Sequence, residues 1–572
     1  MKEEHDTAIG ASTGHDVDIE SKGGSDRFDT TNTADVNHGQ TRMLAPDGTQ
    51  DLLHSQDQLQ RGLKSRHIQF LALGGAIGTG LFVGSGRILN LVGPAPLFMG
   101  YLSMMLLVWV IMNALGEMAS YLPLKGISIP YFVDRFVEPS LAFAAGWNYW
   151  YAYAMLIGAE TSAGAILLDY WKTPVPAAAW ITIILLVTLA LNIFAVSIFG
   201  EAEFWFASIK LITIMGLILV SLVIMLGGGP NHERIGFLYW YDPGAITPYL
   251  VKGDRNTGNF LAYWTAFIRA GFAFITSPEL IALAAGETVH PRRNIPKAAR
   301  RFVWRLAIFY GLGSLMVGVI VKSTDDRLLS PQSNASASPW VIGIQRAGIG
   351  GLNHVINVAI LSSAWSAGNA FLYSGSRILY SLALNGQAPR LFTRTTKAGV
   401  PYAAVLATWA VSLLTYLNVS NNGATVFGWF MNISTISGYI AWVVVCVTFI
   451  RFRAAMSFRG LLHTLPFRTP LQPYAAYFAL FMLVLLTLTN GFNVFFPGQW
   501  KVDDFLAAYI TLPIFLVLYA GHKIWFRTPL ARKIPDIDVV TGVREMEEME
   551  ARDREAEPVA KNWLQKVWFW IA

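Results

Sequence analysis

The stretch LGGAIGTGLFVGSG, residues 73–86, contains six glycines and no charged residue inside the first long apolar segment of the chain. Each glycine in a helix interior costs about 1 kcal/mol relative to alanine, which makes this segment a poor simple anchor. In hydrocarbon, an opened backbone is tolerated only where it is buried in protein or lines a cavity. We therefore expect the helix to unwind around Gly78, Thr79 and Gly80, where free amide and carbonyl groups would hold a small zwitterion.

The composition indicates a polytopic membrane protein. The chain has 572 residues, of which 53% are hydrophobic and only 14% are charged, which is too apolar for a soluble enzyme of this length. The net charge of +6 does not indicate nucleic-acid binding, because the basic residues lie in short loops between apolar runs. The single cysteine, Cys446, excludes an intrachain disulfide, and the polar start of the chain predicts no cleavable signal peptide.

Twelve apolar stretches of about twenty residues predict twelve membrane crossings, since that length spans roughly 30 Å of hydrocarbon. They are residues 68–90, 97–121, 141–169, 177–198, 204–227, 260–285, 302–322, 354–384, 402–418, 425–450, 474–493 and 505–526. Residues 1–60 are polar and are expected to be a disordered cytosolic tail. The predicted membrane domain covers 61–530, and a charged cytosolic tail follows over 531–572.

The orientation follows from the basic residues of the short loops. The loops after spans six, eight and ten are rich in arginine and lysine, and so are the segments that flank the first and last spans. These segments share one side of the membrane, so both termini are predicted to be cytoplasmic. A glycosylation sequon, Asn334-Ala335-Ser336, lies on the predicted outer side.

The sixth span is the second interrupted one, because Pro278 stands two-thirds of the way through it with Ser277 beside it. Interruptions in spans one and six lie in antiparallel helices. This arrangement is typical of a five-plus-five inverted repeat, here about 68–227 and 260–450 with spans eleven and twelve added, whose binding site lies between the breaks. The predicted fold class is an all-α polytopic membrane protein of the LeuT-like type.

Several segments resemble the fungal amino acid permeases of the amino acid, polyamine and organocation superfamily. They are LKSRHIQFLALGGAIGTGLF, GEMASYLP, FVEPSLAFAAGWNYWYAYAM, GETVHPRRNIPKAARR and SAWSAGNAFLYSGSR, and FAFITSPEL is most similar to the proline permease branch. The resemblance covers residues 62–530. It implies twelve helices, proton-coupled uptake and a location in the plasma membrane.

The resemblance also assigns residues. The motif from Ile77 to Phe82 matches the segment that receives the carboxylate and amine of the substrate, although glycines in a membrane helix also serve close packing. Phe272 and Trp365 match positions that the proline branch uses around the side chain. Phe274, which on its own is as compatible with packing, and Ser277 complete the expected pocket.

Arg269 and Glu160 are the buried charges that the spans place level with each other. A charged residue at the centre of a membrane helix costs about 2.5 to 3.5 kcal/mol and normally faces a partner or a cavity. Each residue stands about nine positions from the outer end of its span, at a depth of roughly 14 Å. We expect them to share a polar site, either bonded directly or with substrate between them; a purely structural ion pair is the alternative. The proline branch often has lysine at the position of Arg269.

Lys210 and Glu160 are the candidate proton carriers, because the guanidinium of Arg269 does not deprotonate in proteins. Lys210 lies about seven residues into span five, and its position is similar to that of a family lysine between spans one and eight. The alternative is that Lys210 snorkels to the inner interface. Glu117 and Glu279, near the inner ends of helices, are expected to be structural, and a role in gating is the alternative.

The predicted function is therefore proton-coupled import of a small neutral amino acid, with proline first. The alternatives are a broader neutral, acidic or 4-aminobutyrate permease, in which Arg269 would meet a carboxylate, and a permease-like sensor that does not transport. No metal-ligand spacing, nucleophile triad or phosphate loop indicates an enzyme, and the expected driving force is the proton gradient without a cofactor. The expected partners are the amino acid, the bilayer and a ubiquitin ligase or adaptor acting on tail lysines such as Lys2 and Lys22.

Overall fold

The chain folds into helices packed against one another, with the ends of the helices set by proline and glycine. The computed structural model describes residues 78–122, 129–172, 174–194, 196–275, 278–279, 291–329, 338–421, 423–544, 547–548 and 551. Within these residues there is no strand. The predicted N-terminal tail, the sequon and the aromatic C-terminal end lie outside the described residues.

Sixteen helices of at least eight residues organise the described part of the chain. In order they are α1 (Gly80–Val92), α2 (Pro94–Tyr121), α3 (Ile129–Phe136), α4 (Pro139–Asp169), α5 (Ala177–Phe194), α6 (Val196–Met225), α7 (Arg255–Phe274), α8 (Pro291–Leu306), α9 (Gly313–Ile320), α10 (Pro339–Arg346), α11 (Leu352–Leu384), α12 (Tyr402–Ser412), α13 (Gly423–Phe458), α14 (Tyr474–Leu488), α15 (Val502–Tyr509) and α16 (Thr511–Phe526). Proline occupies the first position of α2, α4 and α10, where its missing N–H costs nothing.

The described helical segments include eight that are long and apolar enough to cross a membrane; one of them, Ile295–Ile320, joins α8 to α9, and another, Tyr402–Ser420, continues past α12. The pair α15 and α16, bent by 45°, makes a ninth. The shorter α1 and α14 are also apolar. The all-helical membrane fold is thus confirmed for the described residues, while twelve crossings and the inverted repeat stay predictions.

Burial separates central helices from peripheral ones. In α4, 89% of the most apolar stretch is buried, against 22% in α5. On α6, Ile212 is 72% exposed and Leu219 is 57% exposed. Such large apolar side chains at the surface are what a helix presents to lipid, because hydrocarbon replaces the protein core as their environment.

Glycines bring the central helices into close contact. A Cβ on Gly100 of α2 would lie 2.7 Å from the carbonyl carbon of Ala266 in α7. A Cβ on Gly158 of α4 would lie 2.7 Å from the ring of Phe430 in α13. Only glycine permits these approaches, and they fix α7 and α13 around the residues predicted to form the site.

The chain after α16 packs across the end of the bundle that the charge pattern predicts to face the cytosol. In this C-terminal strap, residues 529–543, Ile537 and Val539 are fully buried. Arg135 of α3 donates hydrogen bonds of 2.7 Å to the carbonyl oxygens of Asp538 and Thr541, and Arg459, directly after α13, donates one of 2.9 Å to that of Ile537. Packed structure therefore continues beyond residue 530, the predicted end of the membrane domain.

Candidate functional site

The first helix is irregular from Gly80 onward, whereas Thr79, where unwinding was expected, has helical dihedral angles of φ −61° and ψ −19°. The described chain starts at Gly78, and residues Gly80–Gly84 form a π turn before the regular helix Ser85–Val92. The hydroxyl of Tyr101 donates to the carbonyl oxygen of Gly80 at 3.3 Å. A π turn disturbs the regular backbone hydrogen bonding of a helix and is frequent at functional sites. Ile77 lies outside the described residues, so the structure does not test unwinding before Gly78.

The sixth span also stops within the bundle, but earlier than Pro278. Helix α7 ends at Phe274, and Ile275 has a non-helical ψ of 141°. The freed carbonyl oxygen of Ala273 accepts a hydrogen bond of 2.9 Å from Tyr310. The helix ends upstream of Pro278 because a proline disfavours helical geometry in the residue before it and has no N–H to donate. Ser277 lies outside the described residues.

The two irregular segments touch each other. A Cβ on Gly80 would lie 2.8 Å from the Cα of Ala273 and 3.1 Å from the ring of Phe272. Residue 80 must therefore be glycine for α1 and α7 to meet. The structure thus brings together the two places where sequence reasoning expected free backbone groups.

Glu160 of α4 contacts the first of these segments. The hydroxyl of Thr79 donates to Glu160 Oε1 at 3.1 Å, and a Cβ on Gly78 would lie 3.1 Å from the same oxygen. Within the described part of the chain, Glu160 Oε2 is buried without a hydrogen-bond partner. A cavity of about 10 Å³, lined in part by Glu160, Trp365 and Gly368, lies beside it. That is close to the space that one water needs, so a water or a substrate amine fits the chemistry of this oxygen.

Lys210 points into the bundle and does not snorkel. Its side chain is fully buried, and its Nζ lies 3.9 Å from Glu203 Oε1, seven residues earlier on the same face of α6. Ser366 of α11 donates a hydrogen bond of 2.7 Å to Glu203 Oε2, which joins spans five and eight. Lys210 also acts electrostatically on Glu160. The snorkelling alternative is therefore wrong for the described structure.

Glu203 is the residue that sequence reasoning missed. It lies in FGEAEFWFASIK, and the signal was present: a carboxylate seven positions before a buried lysine shares its helix face.

Arg269 lies apart from Glu160. It lines a cavity of about 110 Å³ together with Arg87 and Asp504, whereas Glu160 lines the smaller cavity beside Trp365. No ion pair joins Arg269 to Glu160 among the residues that the structure describes. The predicted direct bond between Arg269 and Glu160 is therefore wrong. Counting residues gave the depth of each side chain, but not the direction in which it leaves its helix.

The aromatic candidates divide into two groups. Phe272 lies against Gly80 and packs edge to face with Phe427 at 6.1 Å, beside the contact of α1 and α7. Trp365 lines the cavity of Glu160. Phe274 instead stacks on Tyr310 with ring centroids 4.3 Å apart and is fully buried, an environment of core packing.

The remaining acidic candidates make structural contacts. Glu117 pairs with Arg453 at 3.1 Å and accepts hydrogen bonds from the backbone and hydroxyl of Thr469. Glu279 Oε1 accepts a hydrogen bond of 2.8 Å from Trp442. These partners fit the structural roles expected for both carboxylates.

Comparison with known proteins identifies close relatives. A model of the amino acid permease family matches residues 67–535. The chain is 56% identical over 516 residues to a proline-specific permease of Emericella nidulans, which covers 90% of this chain and 93% of that one. It is 52% identical over 503 residues to a probable proline-specific permease of Schizosaccharomyces pombe, which covers 87% and 90%.

Among solved structures, a manganese transporter from Eremococcus coleocola in complex with an aromatic bis-isothiourea substituted compound shares the fold. Its TM-score is 0.51 at 16% identity, and the match covers 81% of this chain and 94% of that one. That transporter has the LeuT-like fold, so the likeness supports the predicted fold class.

Proposed function

The chain belongs to the amino acid permease family, and we propose that it imports L-proline, or another small neutral amino acid, across the plasma membrane together with protons. Its family and relatives are transporters, so the chain is a membrane transporter and not an enzyme. The names of its relatives at 56% and 52% identity favour proline over the acidic and 4-aminobutyrate alternatives.

The main support from the structure is the contact between Gly80 and the last turn of α7. In the proposed mechanism the carboxylate of the substrate binds amide groups of Gly78–Gly80, since backbone N–H groups freed from a helix bind anions. The amine binds carbonyl oxygens near the end of α7 and the unpartnered oxygen of Glu160. Phe272 and Trp365 surround the apolar ring.

Proton coupling is assigned to the cluster of Glu160, Glu203 and Lys210. Among the described side chains, two carboxylates face one ammonium group, which leaves one negative charge uncompensated if all three are ionised. An uncompensated buried charge is costly, so one proton taken from outside would neutralise the cluster. Neutralisation of the cluster would favour closure of the outer side over the substrate. Release of that proton to the inside would then favour release of the substrate.

The topology completes the proposal. We infer twelve crossings, a five-plus-five inverted repeat and cytoplasmic termini, with the C-terminal strap on the cytosolic side. Basic side chains such as Arg135 and Arg459, which bind the strap, are typical of cytoplasmic segments. Ubiquitin ligases or adaptors acting on the tails remain expected partners.

Uptake of radiolabelled proline into a strain that lacks its own permeases tests this function. The expected result is saturable uptake that rises as the external pH falls, collapses with a protonophore, and is competed by unlabelled proline but not by glutamate. Competition by glutamate at proline-like concentrations would favour the acidic carrier. Signalling without uptake would favour the sensor.

A further inference from the structure

A second polar cavity lies outward of the contact between α1 and α7, at the end of the bundle that the charge pattern predicts to face outside. Its volume is about 110 Å³, much larger than the cavity of about 10 Å³ beside Glu160, so it has room for several water molecules or one small amino acid. Helices α1, α7 and α13 and the region from the end of α14 to α15 contribute its walls. The polar residues that matter are Arg87, Thr265, Arg269, Asn432, Asn493 and Asp504.

The cavity has an excess of positive charge. Arg87 and Arg269 repel each other across it, and Asp504 is the carboxylate that opposes them. Asp504 Oδ1 also accepts a hydrogen bond of 3.3 Å from Trp429. Two cations that face one anion leave a site that a second carboxylate would stabilise, and because Arg87 is an exposed residue, a carboxylate can reach it from solvent.

Arg87 is held in place by the neighbouring helix. Its Nη1 donates to the carbonyl oxygen of Ala424 at 3.2 Å, and a Cβ on Gly428 would lie 2.4 Å from the same nitrogen. The guanidinium therefore lies against the backbone of α13, where the absence of a side chain on Gly428 leaves room for it. Further N–H groups of Arg87 are free to bind an oxygen, because a guanidinium has five donors.

Thr265 gives an independent indication of a ligand. Its side chain is 4% exposed and lines the cavity, yet its hydroxyl has no hydrogen-bond partner in the part of the chain that the structure describes. A buried hydroxyl without a partner costs about 1 to 3 kcal/mol, and a bound polar group would remove that cost. Arg269 stands one helical turn further along the same face of α7.

The cavity lies on the way to the proposed substrate site. Gly84 lines it and is four residues, about 6 Å along a helix, outward of Gly80. Met431 lines it as well, and Phe272 with Phe427 packs beside Gly80. A molecule in the cavity is thus separated from the α1 break by about one turn of helix and these side chains.

We propose that Arg87 and Arg269 form a carboxylate-binding way station, which holds the incoming amino acid in the outer cavity before it reaches Gly78–Gly80. The inference rests on the proposed function and adds a second binding site to it. Arg269 then contacts substrate on entry and not in the central site. Asp504 and the hydroxyl of Thr265 provide acceptors for the amine of the zwitterion.

The test compares transport from the two sides of the membrane, because only substrate entering from outside meets the way station first. Arg87→Gln and Arg269→Gln are measured beside Arg87→Lys, with labelled proline, in right-side-out and inside-out vesicles. Arg346→Gln is the matched control: Arg346 stacks on Tyr239 with its charge 4.8 Å from the ring centroid and is not part of the cavity.

The expected result is an increase of about tenfold in the KM for proline from outside in both Gln variants. That is the change in affinity expected from the loss of one charged hydrogen bond. We expect an unchanged KM from inside, an intermediate value for Arg87→Lys, and wild-type values for Arg346→Gln. Thr265→Val, which keeps both arginines, should raise the outer KM about threefold. This variant tests the same site if an arginine variant does not reach the membrane.

Two outcomes overturn the way station alone: an outer KM within twofold of wild type in the variants that reach the membrane, or an equal rise of KM on both sides, which would place the arginines in the central site. If the wild-type protein takes up no proline at all, the proposed function fails, and this inference fails with it.

Discussion

Thr79 donates a hydrogen bond of 3.1 Å to Glu160, and this contact joins the irregular start of α1 to the most buried long helix of the bundle. The same carboxylate lies close enough to Gly78 that a Cβ there would be 3.1 Å away. The start of the π turn and a buried carboxylate with one unpartnered oxygen are therefore adjacent. The proposed substrate site and the proposed proton site share this pair.

Gly80→Ala should strongly reduce transport, because the new Cβ would lie 2.8 Å from the Cα of Ala273, and a backbone atom cannot rotate away as a side chain can. We expect the maximal rate of proline uptake to fall at least tenfold while the protein still reaches the membrane. Gly216→Ala in α6 is the matched control, since a Cβ there meets nothing within 4 Å. Wild-type uptake by Gly80→Ala would show that α1 and α7 need not meet closely.

Lys210→Ala should separate uptake from the proton gradient. The substitution leaves Glu203 buried beside Ser366 without its ammonium partner, which typically costs about 3 to 5 kcal/mol of stability. We expect the rise of uptake at low external pH to flatten, while exchange of internal for external proline persists. A retained steep pH dependence would rule out Lys210 as part of the coupling site.

The double variant Lys210→Ala with Glu203→Gln tests whether the two residues act as a pair. The double variant removes one of the two carboxylates that Lys210→Ala leaves without an ammonium partner, and Glu160 remains, so the apparent melting temperature should recover part of what Lys210→Ala loses. Strictly additive losses would mean that the 3.9 Å separation between the two side chains carries no coupling energy.

The local features of the site were predictable from the sequence, and the contacts between helices were not. Glycines at 78 and 80 and the proline at 278 change backbone geometry at their own positions, so the irregular α1 and the early end of α7 could be expected. The pairing of Lys210 with Glu203 could have been found from their spacing of seven. The separation of Arg269 from Glu160 could not, because depth along a helix does not fix the direction of a side chain.

The packing of the C-terminal strap could likewise not be predicted from the sequence, because the few apolar residues of this short segment follow neither a helical nor a strand period. Ile537→Ala should lower stability by about 2 to 5 kcal/mol, the usual cost of emptying a fully buried site. Val540→Ala, at a neighbouring residue that is 53% exposed, should change stability by less than about 0.5 kcal/mol. Equal apparent melting temperatures for the two variants would show that the strap does not pack on the bundle.

Asp325 gives a pH-dependent contribution to stability outside the apolar helices. Hydrogen bonds of 2.8 and 2.6 Å from the Arg327 guanidinium lower the pKa of the Asp325 carboxyl. A carboxyl with a lowered folded-state pKa stabilises the protein above its unfolded pKa of about 4, and this contribution is lost as the pH falls through the lower folded value.

Asp325→Asn should therefore lower the free energy of unfolding at pH 6, by less than about 1 kcal/mol because the ion pair is partly exposed. The difference from wild type should shrink towards pH 3. Asp326→Asn, at the exposed neighbouring residue, is the control. A difference that grows as the pH falls would contradict the assignment.

An experimental structure of the permease with proline bound is the most direct test of whether the backbone at the start of α1 and the end of α7 binds the substrate. We predict density between Gly78–Gly80 and the end of α7, with carboxylate oxygens about 2.7 to 3.2 Å from backbone nitrogen atoms of α1. Proline bound elsewhere, with α1 and the sixth span continuing as regular helices through the membrane, would contradict the account.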